Sequence, residues 1–385
     1  MYVCESAMLS TLEHIIRDIR TFFEGDYWPI FVVIALILSV LFWTACLIGI
    51  VIFYYRDYRY RTAYSGIYPA LRDFIYEQVL VENRTNHFPV DKLGLDLHNK
   101  LVSKVVRHIL HDFIFTIGGE KGRSMRNLFN ELGFDKEAQY EIRHSATNVV
   151  TTVRSLANLA LMKVSIQDKI LEQLLKSPQV EIRVAASKYQ LQVHGEQAFD
   201  RIFNGLYGIS QLHALDIFQT IVQGEYFGNY IFSQWLDVSK SSEVNSLIMD
   251  LMVYYQELNE AGLWKLIIAN KESKTALKAV NSLGKLLAKD SEERLQELYT
   301  EKSSLAAKLE ILKALGRVGQ GKSIDFLNGL FMDTNMPLSL RKHAYRSLVA
   351  QKPYSTALLR KIEEQVDDEE SKLVRSINHP MVHYI

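Results

Sequence analysis

Twenty-four consecutive uncharged residues, Ile30 to Phe53, constrain this chain more than any other stretch. Only Ser39, Thr44 and Gly49 interrupt the apolar run. As a helix at about 1.5 Å per residue it spans roughly 36 Å, against a hydrocarbon core ~30 Å thick. A helix buried in a soluble core rarely needs so long a run. Tyr27 and Trp28 bracket one end, and Tyr54, Tyr55, Tyr58 and Tyr60 the other. Amphipathic rings settle at such positions in a membrane interface. The expectation is one membrane span over residues 28–55, anchored by Trp28, Tyr54, Tyr55, Arg56, Arg59 and Arg61.

Ahead of the span, residues 1–27 carry an apolar stripe at helical spacing that includes Leu12, Ile15, Ile16, Ile19 and Phe23. The pattern predicts an amphipathic helix over 6–24, on the bilayer or against a partner's membrane helices. The apolar run begins too late and is too long for a cleaved signal peptide. Arg56, Arg59, Arg61 and Arg72 follow the span, whereas only Arg17 and Arg20 precede it within reach. This bias predicts the N-terminus outside and the C-terminal body in the cytoplasm. The Arg- and Tyr-rich stretch after the span reads as a topology signal, with an anionic-lipid site as the alternative.

Lys plus Arg and Asp plus Glu both number 44. Zero net charge argues against a general nucleic-acid binder, which must displace counterions with an excess of cations. The two cysteines, Cys4 and Cys46, offer the soluble body no disulfide or thiolate metal framework. Residues 56–147 read as a helical connector, with helices over Tyr68–Val81 and Leu95–Phe115, a loop over 83–89 and a turn at Gly118, Gly119 and Gly122. His108, His111 and Asp112 share a helix face, but no fourth ligand at metal-site spacing accompanies them. They read as solvated or core-edge side chains, and no metal or cofactor is expected.

Residues 148–385 repeat. Similar helical segments begin near Thr151, Glu181, Ile209, Ser241, Lys271, Ser304 and Leu338, at intervals of 30, 28, 32, 30, 33 and 34 residues. A second amphipathic segment follows each, among them Tyr230–Leu236 and Ala261–Ile268. Two helices per period of this length mark an α-solenoid, in which no pair buries its apolar face alone. The fold class expected is therefore all-α: a transmembrane helix followed by a solenoid superhelix.

The repeats resemble HEAT units through Pro178, Val180, Arg183 and Ala186, through Pro337, Leu340, Arg341 and Ala344, and through the turn Ala314–Gly319. The central units lack this signature. With the N-terminal span and residues 128–162, most of the chain resembles a family of membrane-anchored HEAT proteins of Bacteroidetes-type bacteria. That resemblance implies an accessory role beside a membrane glycosyltransferase in envelope or exopolysaccharide synthesis, at the bacterial inner membrane.

Within the array, Gly316-Arg-Val-Gly-Gln-Gly321-Lys322-Ser323 fits the phosphate-cradling pattern GxxxxGK[ST]. A P-loop needs a strand before it, and the preceding residues are helical in period. The non-catalytic reading is preferred, with a nucleotide-binding protein or a membrane-surface lipid sensor as alternatives. As a scaffold, the chain would hold its partner in the concave face of the solenoid. The candidate contacts are the aromatic side chains of Tyr226, Phe227, Tyr230, Phe232, Trp235 and Trp264, of the kind that dominate hot spots. Core packing is the alternative for these six, and the preferred one.

Overall fold

In the computed structural model, residues 28–117, 119–144, 148–224, 230–270, 273–365 and 368–377 are described. The N-terminal amphipathic segment, Tyr226, Phe227 and the last residues lie outside these. All regular structure among the described residues is helical. The chain divides into two compact units, one ending at Phe134 and one beginning at Asp135.

The first unit is organised on one helix, α1 (Trp28–Ile75), of 48 residues. Every described side chain from Ile30 to Arg56 is exposed, and the helix is long and apolar enough to cross a membrane. The expected boundary at residue 55 is absent from the backbone. The helix continues as one rod through Pro69, which removes a backbone donor without ending it. In its last turns Ile67, Leu71, Phe74 and Ile75 form a buried stripe. This half packs on α2 (Lys100–Thr116), whose start is capped by the Asn99 side chain.

A π-turn (Tyr76–Val81) ends the rod. The loop after it is held by α3 (Gly119–Glu131). Lys121 Nζ donates to Val79 O at 2.8 Å, Leu80 O at 3.2 Å and Asn83 Oδ1 at 2.7 Å. Asn127 donates to Thr85 O and Asn86 Oδ1, and the Glu131 carboxylate accepts from the backbone N–H groups of His87 and Phe88. The predicted glycine turn is correspondingly short: Gly122 is a buried helical residue, and a Cβ there would meet Ile117 O at 2.8 Å. Lys121→Met keeps the stem and removes all three bonds. It is expected to destabilise this unit by about 1.5–3 kcal/mol, the scale of charged hydrogen bonds. Hydrogen exchange of residues 79–88 is the check; unchanged protection would count against the pinning role.

The second unit starts within α4 (Phe134–His144) and continues as α5 (Val149–Met162), α6 (Asp168–Leu175), α7 (Val180–His194), α8 (Phe199–Gly205), α9 (Gln211–Gln223), α10 (Ser242–Tyr254) and α11 (Glu260–Asn270). It ends with α12 (Lys274–Lys285), α13 (Glu292–Glu301), α14 (Leu305–Val318), α15 (Ile324–Met332), α16 (Leu338–Ala350), α17 (Lys352–Gln365) and α18 (Asp368–Ile377). Helices α5, α7, α9, α10, α12, α14 and α16 form a first row in which each packs on the next. Their starts follow one another at 31 to 33 residues. Side-chain caps from Asn148, Ser210, Ser241 and Ser273 fix four of those starts.

Close approach within the row depends on small residues. A Cβ on Gly284 would meet the Ala314 Cα at 2.9 Å, and one on Gly316 the Ser347 Cα at 3.0 Å. The expected third-unit partner helix, Tyr230–Leu236, is instead a single 3₁₀ turn, Phe232–Trp235. The Glu257 carboxylate takes the N–H groups of Phe232 and Ser233, and aromatic packing takes the place of a second turn. The last helix, α18, buries Val374 and Ile377 and packs on α16.

Candidate interaction surface

Three of the aromatic residues expected as partner contacts are core residues. Phe232 is wholly buried, and Trp235 and Trp264 expose only 6% and 5%. Trp235 stacks on Phe203 at 4.7 Å between ring centroids and donates its indole N–H to Asp200 Oδ1. Tyr230 is half-buried, lies edge-on to Phe199 and Tyr255, and donates to Glu196. The Trp264 indole N–H reaches Ser291 Oγ at 2.9 Å, with the Arg294 guanidinium over its ring. Composition singled these rings out, but whether a ring faces core or solvent depends on the neighbouring helix. Tyr226 and Phe227 fall outside the described residues.

The span anchors Tyr54, Tyr55, Arg56, Arg59 and Arg61 are exposed beside the apolar run, and Arg61 pairs with Asp57 at 2.8 Å. Tyr60 behaves differently. With Tyr64 and Tyr68, at four-residue spacing, it forms a ladder facing α2. His108 bonds the Tyr60 hydroxyl, Lys104 lies over the Tyr60 ring, and Tyr68 stacks on Phe113. His108 and Asp112 are thus engaged at a helix seam, and His111 stacks on Phe129.

The GxxxxGKS run begins inside a helix, α14, and its loop is already filled. Glu292, 1% exposed, accepts from the N–H groups of Gln320 at 2.7 Å and Ser323 at 2.9 Å, and from the Ser323 hydroxyl at 2.6 Å. Gln351 donates to Leu315 O and Ser323 Oγ, while Lys322 points outward to Glu293 at 2.7 Å. A carboxylate therefore occupies the place that a phosphate would need.

The surface that sequence reasoning missed is the solvent-facing stripe of the first row. Its members are Glu181 and Lys188 on α7, Asp216 on α9, and Glu243 and Asp250 on α10. It continues with Lys274, Lys278, Asn281 and Lys285 on α12, with Glu310, Lys313 and Arg317 on α14, and with Lys342, His343 and Arg346 on α16. The helices are cross-linked along it. Lys188 bonds Asp216 at 2.7 Å, Lys278 bonds Asp250, and Asn281 donates to Glu310 at 3.0 Å.

Burial tends to raise the Glu310 carboxyl, but bonds from Lys313 and Asn281 and the nearby Arg317 outweigh it and hold the group below its usual range. Burial, then the charges of Arg346, Lys313 and Lys342, push His343 below the usual imidazole value. The stripe is bipolar. Glu181, Asp216, Glu243 and Asp250 outnumber Lys188 in the first half, and seven cations face Glu310 alone in the second. The repeat period carried this signal, because these residues occupy corresponding positions of successive helices.

Comparison with family models, with curated proteins and with solved structures finds no match to this chain.

Proposed function

We propose that the chain is a membrane-anchored scaffold, in which α1 crosses the inner membrane once and the second unit is a HEAT-like solenoid that binds a protein partner. The observation that carries the anchor is the fully exposed apolar run of α1, continuous with the helix that α2 grips. In water such a surface would cost about 25 cal/mol for each Å² left exposed, so it requires an apolar surrounding. The solenoid reading draws support from helices that pack on those one and two places along the chain. Two arginines of the HEAT-like signature support it further. Arg183 donates to Ser177 O, Pro178 O and Tyr207 O between helices, and Arg341 to Phe331 O in the last turn of α15, so both tie neighbouring backbone into the array.

The arginine-rich stretch after the span favours a cytoplasmic second unit. The sequence resemblance narrows the partner to a membrane glycosyltransferase and the role to an accessory subunit in polysaccharide assembly. Pull-down of the full-length tagged protein in mild detergent, followed by mass spectrometry, tests this. Stoichiometric recovery of a membrane glycosyltransferase is the expected result. Recovery of a different membrane complex would overturn the polysaccharide role, and recovery of no partner across several detergents would overturn the scaffold.

A further inference from the structure

The second half of the first-row stripe holds cations without acceptors. Glu310 is satisfied by Lys313 at 2.7 Å and by Asn281. Lys285, Arg317, Lys342 and Arg346 have no carboxylate at salt-bridge distance among the described residues. Two guanidinium nitrogens, Arg317 Nη1 and Arg346 Nε, are shielded from water and donate to no partner. Both residues are only half-buried, so part of each side chain stays open to an incoming acceptor. The Arg317 stem lies along Gly284 of α12, and Arg346 precedes Ser347, the residue of α16 that approaches Gly316 of α14. The cations are therefore set in rows on three packed helices, not scattered on mobile loops.

We propose that this face of α12, α14 and α16 binds an acidic segment of a protein partner, laid across the helices with its carboxylates on Arg317 and Arg346. The inference rests on the scaffold reading and supplies the chemistry of the partner. Charge complementarity selects an oxyanion-bearing occupant, because guanidinium forks pair with carboxylates through directed bonds. The spread of the cations selects an extended one. Adjacent packed helices stand about 8–10 Å apart, so the charges follow a line and do not converge on one small ion. The acidic first half of the stripe repels the same segment and fixes where it lies.

The test uses the full-length protein in detergent micelles and two fluorescein-labelled peptides, a glutamate–glycine–serine repeat and its glutamine counterpart. Fluorescence anisotropy is expected to show binding of the acidic peptide only, weakening as salt rises. Arg317→Gln with Arg346→Gln is expected to weaken it at least tenfold, and Lys188→Gln to leave it unchanged. If the double arginine variant fails to fold, Lys313→Gln with Lys342→Gln is expected to weaken binding in the same direction. Equal binding of both peptides, or full binding by folded variants, would overturn the proposal. So would displacement by inorganic phosphate at constant ionic strength, which would assign a small-ion site instead. Recovery of a different membrane complex with peptide binding intact would count against the glycosyltransferase alone, whereas loss of peptide binding leaves the pull-down result standing.

Discussion

Glu292→Ala is expected to lower the stability of the second unit by on the order of 3 kcal/mol, because one buried carboxylate serves three donors. Removing it leaves the N–H groups of Gln320 and Ser323 and the Ser323 hydroxyl without their acceptor. Ser323 is wholly buried, so water cannot replace the lost oxygen without opening the turn. For a unit of this size the fall in Tm should be roughly 6–12 °C. Glu292→Gln keeps the volume but turns an amide NH₂ toward a donor, and should cost about 1–2 kcal/mol. The neighbour Glu293, exposed and paired with Lys322, is the control. Its change to alanine should move stability by less than about 1 kcal/mol, as exposed ion pairs do. Thermal melts of the three variants decide the matter; equal melting of Glu292→Ala and Glu293→Ala would remove the carboxylate from its structural role. The same result bears on the nucleotide reading, because a site for phosphate would gain from the removal of Glu292.

Leu41→Arg combined with Phe42→Arg should abolish stable membrane residence. Both positions are exposed near the middle of the apolar run. Each arginine costs about 2.5–3.5 kcal/mol at the centre of an inserted helix, so the pair costs roughly 5–7 kcal/mol. After alkaline extraction the parent protein should remain with the membrane pellet and the variant should enter the supernatant. Near neutral pH both should show the same helical far-ultraviolet signal, since neither side chain packs on the rest of the unit. A variant that pellets as the parent does would refute the spanning role of α1.

Sequence determined the features that depend on runs and periods. The apolar stretch announced α1, and the repeat spacing announced first-row helices whose observed starts differ from the expected ones by at most a few residues. Both signals are local, because helix period and hydrophobic length are properties of consecutive residues. Arg183 and Arg341 were visible for the same reason, each four or five residues after a proline.

Only the tertiary structure decided what each marked side chain touches. Phe232, Trp235 and Trp264 read as either contacts or core, and the structure makes them core, because α8 and α13 supply partners that no sequence interval names. Tyr60, one of the tyrosines that bracket the apolar run, meets His108, 48 residues away. The glycine-rich turn looked like a phosphate cradle until Glu292, 28 to 31 residues earlier, was found inside it. The bipolar stripe was invisible for the complementary reason. Its charges are dispersed within each helix and recur about one repeat apart between helices, so they join into one surface only when the helices stack.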